Sequence, residues 1–199
     1  MRTERAETFS DGVFAIAITL LVLEIQVPEA SEHSLWHDLG ALWPSFWAYV
    51  VSFFTIGIIW VNHHAQWDRI DHVNRTMLFV NLILLLFVSF IPFPTALVAE
   101  HLKNGSTDSQ HIAAAFYSAS LLAMGASFFA TWVYAARAGL LMAGLTEKQV
   151  RQLIIRNVSG LAGYALAIGV AFVSAEASLA ICGVVALYYV QPGRVREPG

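Results

Sequence analysis

Arg5-Ala6-Glu7-Thr8-Phe9-Ser10-Asp11-Gly12-Val13-Phe14-Ala15-Ile16-Ala17-Ile18-Thr19-Leu20-Leu21-Val22-Leu23-Glu24-Ile25 is an apolar run bounded at both ends by ionisable residues. From Phe9 to Val27 it is long enough for a membrane-spanning helix, which needs about 20 mainly apolar residues. Strands of a membrane barrel would alternate in polarity, and this run does not. Asp11 and Glu24 stand thirteen positions apart, or about 20 Å at helical rise. Ionisable groups at such depth usually face a bundle interior or a water-filled cavity, because facing lipid is costly. Ser10 and Asp11 also admit a plainer reading as a helix cap favoured by the helix dipole. Arg2 and Arg5 ahead of the run raise the question of a signal peptide. Glu4, Glu7 and Asp11, and the poor cleavage site at Pro28-Glu29-Ala30, argue instead for a retained helix.

Outward from this segment, five more stretches qualify as spans: 42–67, 77–99, 113–136, 158–174 and 177–190. The expectation is an all-α bundle of six transmembrane helices forming one domain, residues 1–199. Composition agrees: 57% of residues are hydrophobic and 13% charged, against about 45–50% and 25% in soluble domains. Such a chain lacks the charge to cover its own surface in water, so the lipid bilayer is its expected partner. A net charge of −3 without a basic tract excludes nucleic acid as a partner. The single cysteine, Cys182, excludes an intrachain disulfide framework.

The six-span model sorts the basic residues. Arg2, Arg5, Arg69, Arg75, Arg137, Lys148, Arg151, Arg156, Arg194 and Arg196 fall on one side, and only Lys103 on the other. The positive-inside rule makes the first side, with both termini, cytoplasmic. The opposite loops carry Glu29, Glu32, His33, His37 and Asp38, then Glu100, His101, Asp108 and His111. Pro92 and Pro94 are expected to kink or end the third span. Gly160, Gly163 and Gly169 suit close helix packing in the fifth.

Ile16, Leu20 and Leu23 follow i, i+4, i+7 spacing and so share one helical face, with Thr19 beside it and Gly12 one turn below. Such a stripe is compatible with ordinary contact to lipid or helix. Around a symmetry axis it would form stacked apolar rings able to gate by dewetting. In Trp60-Val61-Asn62-His63-His64 the adjacent imidazoles point about 100° apart on a regular helix and cannot converge on one ion. No metal and no cofactor is therefore expected, and His63 is read as a hydrogen-bonding residue, for instance with Asp11. Phosphate loops, nucleophile–base pairs and zinc-protease helices are all missing from the sequence, so an enzyme is not expected. The Thr-Val-Gly-Tyr-Gly filter is missing too.

The string Arg5-x-x-x-Phe9-Ser10-Asp11 with its continuation to Ile25 closely resembles the first helix of the transmembrane protein 175 family of potassium-permeable channels. Trp60-x-x-His63 and Pro92-Phe93-Pro94-Thr95 extend the resemblance more loosely. One motif copy resembles the prokaryotic single-unit form. The resemblance implies a homotetramer in the cell membrane, multi-pass, conducting potassium and other monovalent cations through a central pore lined by first helices. It implies constriction rings from Ile16, Leu20 and Leu23, and a hydroxyl layer from Thr19 relevant to potassium preference. Arg5, Ser10, Asp11, Trp60 and His63 would form a polar network holding the pore helices, with Glu24 at the outer mouth. Two competing readings stand beside the channel. The ionisable set Asp11, Glu24 and His63 suggests a proton-coupled or cation secondary transporter, although internal repeats are not visible. The His63/His64 pair suggests an intramembrane enzyme.

Overall fold

Eight α-helices account for nearly all of the computed structural model, which describes residues 3–28, 34–143 and 147–190, with the side chains of 147 and 148 excluded. They are α1 (Glu4–Leu20), α2 (Leu35–Ala41), α3 (Trp43–Trp67), α4 (Arg75–Phe90), α5 (Pro92–Asn104), α6 (Thr107–Arg137), α7 (Glu147–Ala171) and α8 (Ala175–Val190). Among the described residues, five helical stretches are long and apolar enough to cross a membrane, α4 and α5 counting as one, and α8 is a shorter apolar helix. The all-helical architecture is as expected. Of the residues used in the charge sorting, Arg2, Glu29, Glu32, His33, Arg194, Arg196 and the Lys148 side chain lie outside the described residues.

Helix boundaries run past the apolar stretches. α7 begins at Glu147 rather than near Val158, so Arg151 and Arg156 sit on the helix and not in a loop. Backbone bonding continues into the polar segment because charged side chains there reach water without ending the helix. The break between α4 and α5 has a local cause. Pro92 has no N–H to offer Val88, and the Ile91 N–H takes that carbonyl at 3.3 Å before the helix restarts. Between α7 and α8 the turn is as tight as expected, with Val173 and Ser174 both donating to the Val170 carbonyl at 2.9 Å.

α6 is the centre of the bundle, packing against α4, α5, α7 and α8. α1 lies against α3 and α4. Phe14, Ala17, Leu21, Ile56, Leu84, Leu121 and Met124 belong to one continuous apolar core. At the end of the bundle where α3 finishes, two loops are clipped together. Asp71 N–H donates to Leu140 O and Met142 N–H to Arg69 O, at 2.9 and 3.0 Å. The clip depends on Gly139, whose φ of +66° closes α6. This lets Leu140 N–H reach back to Ala135 O at 3.0 Å, and Gly139 N–H to Ala136 O, in a Schellman turn.

Two of the three glycines in α7 meet close neighbours. A Cβ on Gly160 would collide with Tyr189, and one on Gly163 would lie 2.5 Å from Val185 Cγ2. Gly169 has nothing within 4 Å. Of the three glycines, the first two mark close approaches between α7 and α8.

Candidate functional site

The helix α1 has two faces of different character. Ser10, Phe14, Ala17 and Leu21, spaced four, three and four residues apart, are buried against the rest of the chain. Ile16, Leu20 and Leu23 point away from it, at 60%, 41% and 71% exposure. The α-helix tightens into a 3₁₀ turn over Leu21–Glu24. Residues three apart eclipse one another in such a turn, so Leu23 continues the stripe over Leu20. Thr19 is also exposed, and its hydroxyl donates to Ile16 O and Ala15 O at 2.9 and 3.0 Å. With its proton held by the helix backbone, the hydroxyl oxygen keeps its lone pairs outward. A Cβ on Gly12 would have nothing within 4 Å, so the stripe ends in open space one turn below.

Polar contacts hold the buried face. His63, fully buried on α3, is 3.0 Å from Asn81 Oδ1 through Nε2. Asn81 on α4 donates through Nδ2 to Ser10 Oγ at 2.9 Å, and Ser10 donates to Ala6 O at 2.8 Å. Because the Asn81 amide nitrogen is committed to Ser10, its oxygen accepts and His63 Nε2 is the donor. Three helices thus meet in one chain of hydrogen bonds. A separate bond ties α1 to α3 nearby: Trp60 Nε1 donates to Asp11 Oδ1 at 2.8 Å. Phe14 and Trp67 pack on the His63 ring, with centroids at 5.3 and 5.4 Å.

This geometry differs from the sequence expectation in four respects. His63 bonds to Asn81 and not to Asp11, since Asn81 lies across α4 in direct line with Ser10. Asp11 is not a cap: α1 begins at Glu4, two turns earlier, after Thr3. Arg5 hydrogen-bonds to none of Ser10, Asp11, Trp60 and His63; it lines an open groove of about 710 Å³ with Phe9, Leu78, Asn81 and Leu82. Asn81 itself escaped notice, although a lone amide inside the apolar run 77–99 was the available signal.

The two adjacent histidines diverge, as their helical spacing requires. His63 faces the core, whereas His64 is exposed and reaches Glu7 Oε1 at 2.8 Å. Glu24 closes the 3₁₀ turn at the opposite end of α1. There it borders an open cavity of about 680 Å³ shared with Asp38, Glu100, His101 and Lys103.

The model of the family described as endosomal/lysosomal potassium channel TMEM175 matches residues 5–92. A protein of Streptomyces collinus, named a potassium channel, is 49% identical over 187 residues, covering 93% of this chain and 90% of the relative. Another potassium channel by name, from Chamaesiphon minutus, is 38% identical over 194 residues, covering 94% and 93%. The crystal structure described as a lysosomal potassium-selective channel TMEM175 homolog from Chamaesiphon minutus superposes with a TM-score of 0.84. It is 36% identical, with 97% of this chain and 98% of that one covered. Mouse and human relatives, 41% and 40% identical over 98 residues, are named endosomal/lysosomal proton channels, and the match spans about one fifth of their length. These relatives are channels and not enzymes. With a relative at 49% identity matched almost end to end, and with the first-helix motif standing on a helix anchored to its two neighbours, the chain belongs to the TMEM175 channel family.

Proposed function

We propose that this protein is a potassium-permeable channel, a homotetramer in the cell membrane with four copies of α1 around a central axis. The observation that carries the reading is the division of α1 into two faces. One face is packed and hydrogen-bonded to its own protomer, and the other leaves Ile16, Leu20 and Leu23 exposed. Cyclic symmetry turns each such residue into a ring, and apolar rings close a water column by dewetting. Thr19 then supplies four outward hydroxyl oxygens for a partly dehydrated cation. Residues 1–199 act as one six-span domain with both ends cytoplasmic. Ser10–Asn81–His63 and Asp11–Trp60 hold α1 at the cytoplasmic end, and Glu24 stands at the outer mouth.

The test is potassium flux from proteoliposomes holding the purified protein. Ile16→Asn is expected to raise resting flux, because a polar ring wets the constriction, and Leu20→Ala to raise it less. Flux that is missing, or indifferent to both changes, overturns the reading. Proton permeation is a second reading, favoured by the names of the vertebrate relatives. A pH dye in the same liposomes separates the two. Potassium is preferred here because the relatives matched over nearly their whole length carry that name.

A further inference from the structure

Glu7 on α1, His64 on α3 and Asp68, the residue capping the end of α3, converge where α3 finishes. Each offers one ligand atom, and the three atoms lie within 4.8 Å of one another. His64 Nδ1 and Glu7 Oε1 are 2.8 Å apart, with Glu7 22% and His64 55% exposed. Asp68 caps α3 with helical backbone angles four residues after His64, and its N–H donates to His64 O at 3.0 Å, so the two share a helical face. Among the described residues, neither carboxylate is paired with an arginine or lysine. We propose that these three residues form a binding site for a divalent transition metal, of which zinc is the representative, and that the bound ion bridges α1 to α3.

The donor set favours this class of ion. One imidazole nitrogen with two carboxylate oxygens suits zinc, cobalt or nickel better than calcium or magnesium, which prefer all-oxygen shells. Donors at about 2 Å from a tetrahedral ion stand about 3.3 Å from each other. The 2.8 Å between His64 and Glu7, and the 4.8 Å limit on the other separations, are compatible with that figure after small side-chain adjustments. When Nδ1 takes the metal, the proton it shares with Glu7 moves to Nε2 of the same ring. Two carboxylates balance the charge of the ion, and water completes the shell at this exposed position. The expectation of no metal considered His63 with His64 and overlooked Glu7, which comes from another helix.

The proposal does not rest on ion conduction, and its readout is metal binding to the purified full-length protein in detergent. Titration calorimetry with zinc is expected to give one site per chain. Titration with cobalt is expected to give a visible d–d band. His64→Ala and Asp68→Asn should each weaken zinc at least tenfold and remove the cobalt band, while His72→Ala leaves both unchanged. Zinc should raise the Tm of the unaltered protein and not of the Asp68→Asn variant, because only an intact site ties two helices together. Should His64→Ala fail to fold, the near-isosteric Asp68→Asn carries the same comparison. Zinc affinity that is indifferent to these changes, or equally lost in His72→Ala, overturns the proposal.

Discussion

Asn81 accepts a hydrogen bond from His63 and donates one to Ser10, so a leucine in its place would leave the buried His63 N–H without a partner while Ser10 keeps its bond to Ala6 O. Each unsatisfied buried group costs about 1–3 kcal/mol. Asn81→Leu is therefore expected to destabilise the protein by about 1–3 kcal/mol, read as a lowered denaturation midpoint in detergent. Asn81→Asp should be tolerated better, since a carboxyl group can still accept from His63. A different outcome belongs to Thr19, whose oxygen faces away from the protomer. Thr19→Val keeps the volume and removes the lone pairs. The expected result is unchanged folding with a severalfold loss of potassium over sodium preference in the flux assay. The motif string made Ser10, Asp11, Trp60 and His63 legible in the sequence, but not who bonds to whom. His63 and Asp11 looked equally able to pair, and only the position of α4 assigns His63 to Asn81.

Close approach between helices is decided by single positions along an element. In α7, Gly163 faces Val185 at a distance that leaves no room for a Cβ, whereas Gly169 opens on nothing within 4 Å. Gly163→Leu is expected to push α8 away from α7 and lower the Tm by several degrees. Gly169→Leu should leave it within about a degree, as surface substitutions usually do. Equal losses at the two positions would overturn the packing assignment, since leucine's higher helix propensity favours both variants. The glycines were legible in the sequence as packing residues, but their register was not. α8 is apolar all round, and nothing in its own pattern says which side meets α7. The extra length of α7 was hidden for a related reason. Hydropathy marks where a helix enters lipid, and the helix itself continues through Arg156 and Arg151.

Burial across the whole chain is uneven in a way that points outside the protomer. Over its most apolar window α6 is 56% buried, while α1, α3 and α7 reach only 22%, 28% and 22%. Lipid can cover apolar surface of this kind. The proposed subunit contact at α1 would cover the aliphatic stripe together with Thr19 and Gly12 beside it, and this makes a prediction about the assembly. In a Cys182→Ser background, Ile16→Cys should form disulfide-linked dimers on mild oxidation, because the proposed ring of four would bring identical residues together at the axis. Ala17→Cys, one position on and buried within its own chain, should not. A mass in detergent of four times 21.9 kDa would accompany the first result; a single-protomer mass would remove the basis for a pore along α1.

The amino-acid pattern alone determined that this chain is helical and membrane-embedded, where its apolar stretches lie, and which family its first helix resembles. Those properties depend on local hydropathy and on a short string of residues, both readable along the chain. Tertiary structure alone decided that Asn81 joins His63 to Ser10, that α1 turns Ile16, Leu20 and Leu23 outward, and that Glu7 meets His64 and Asp68. The reason is physical: hydrogen bonds and ligand sets between helices depend on the relative rotation of each helix about its axis. Packing against the other helices sets that rotation, and no single segment encodes it.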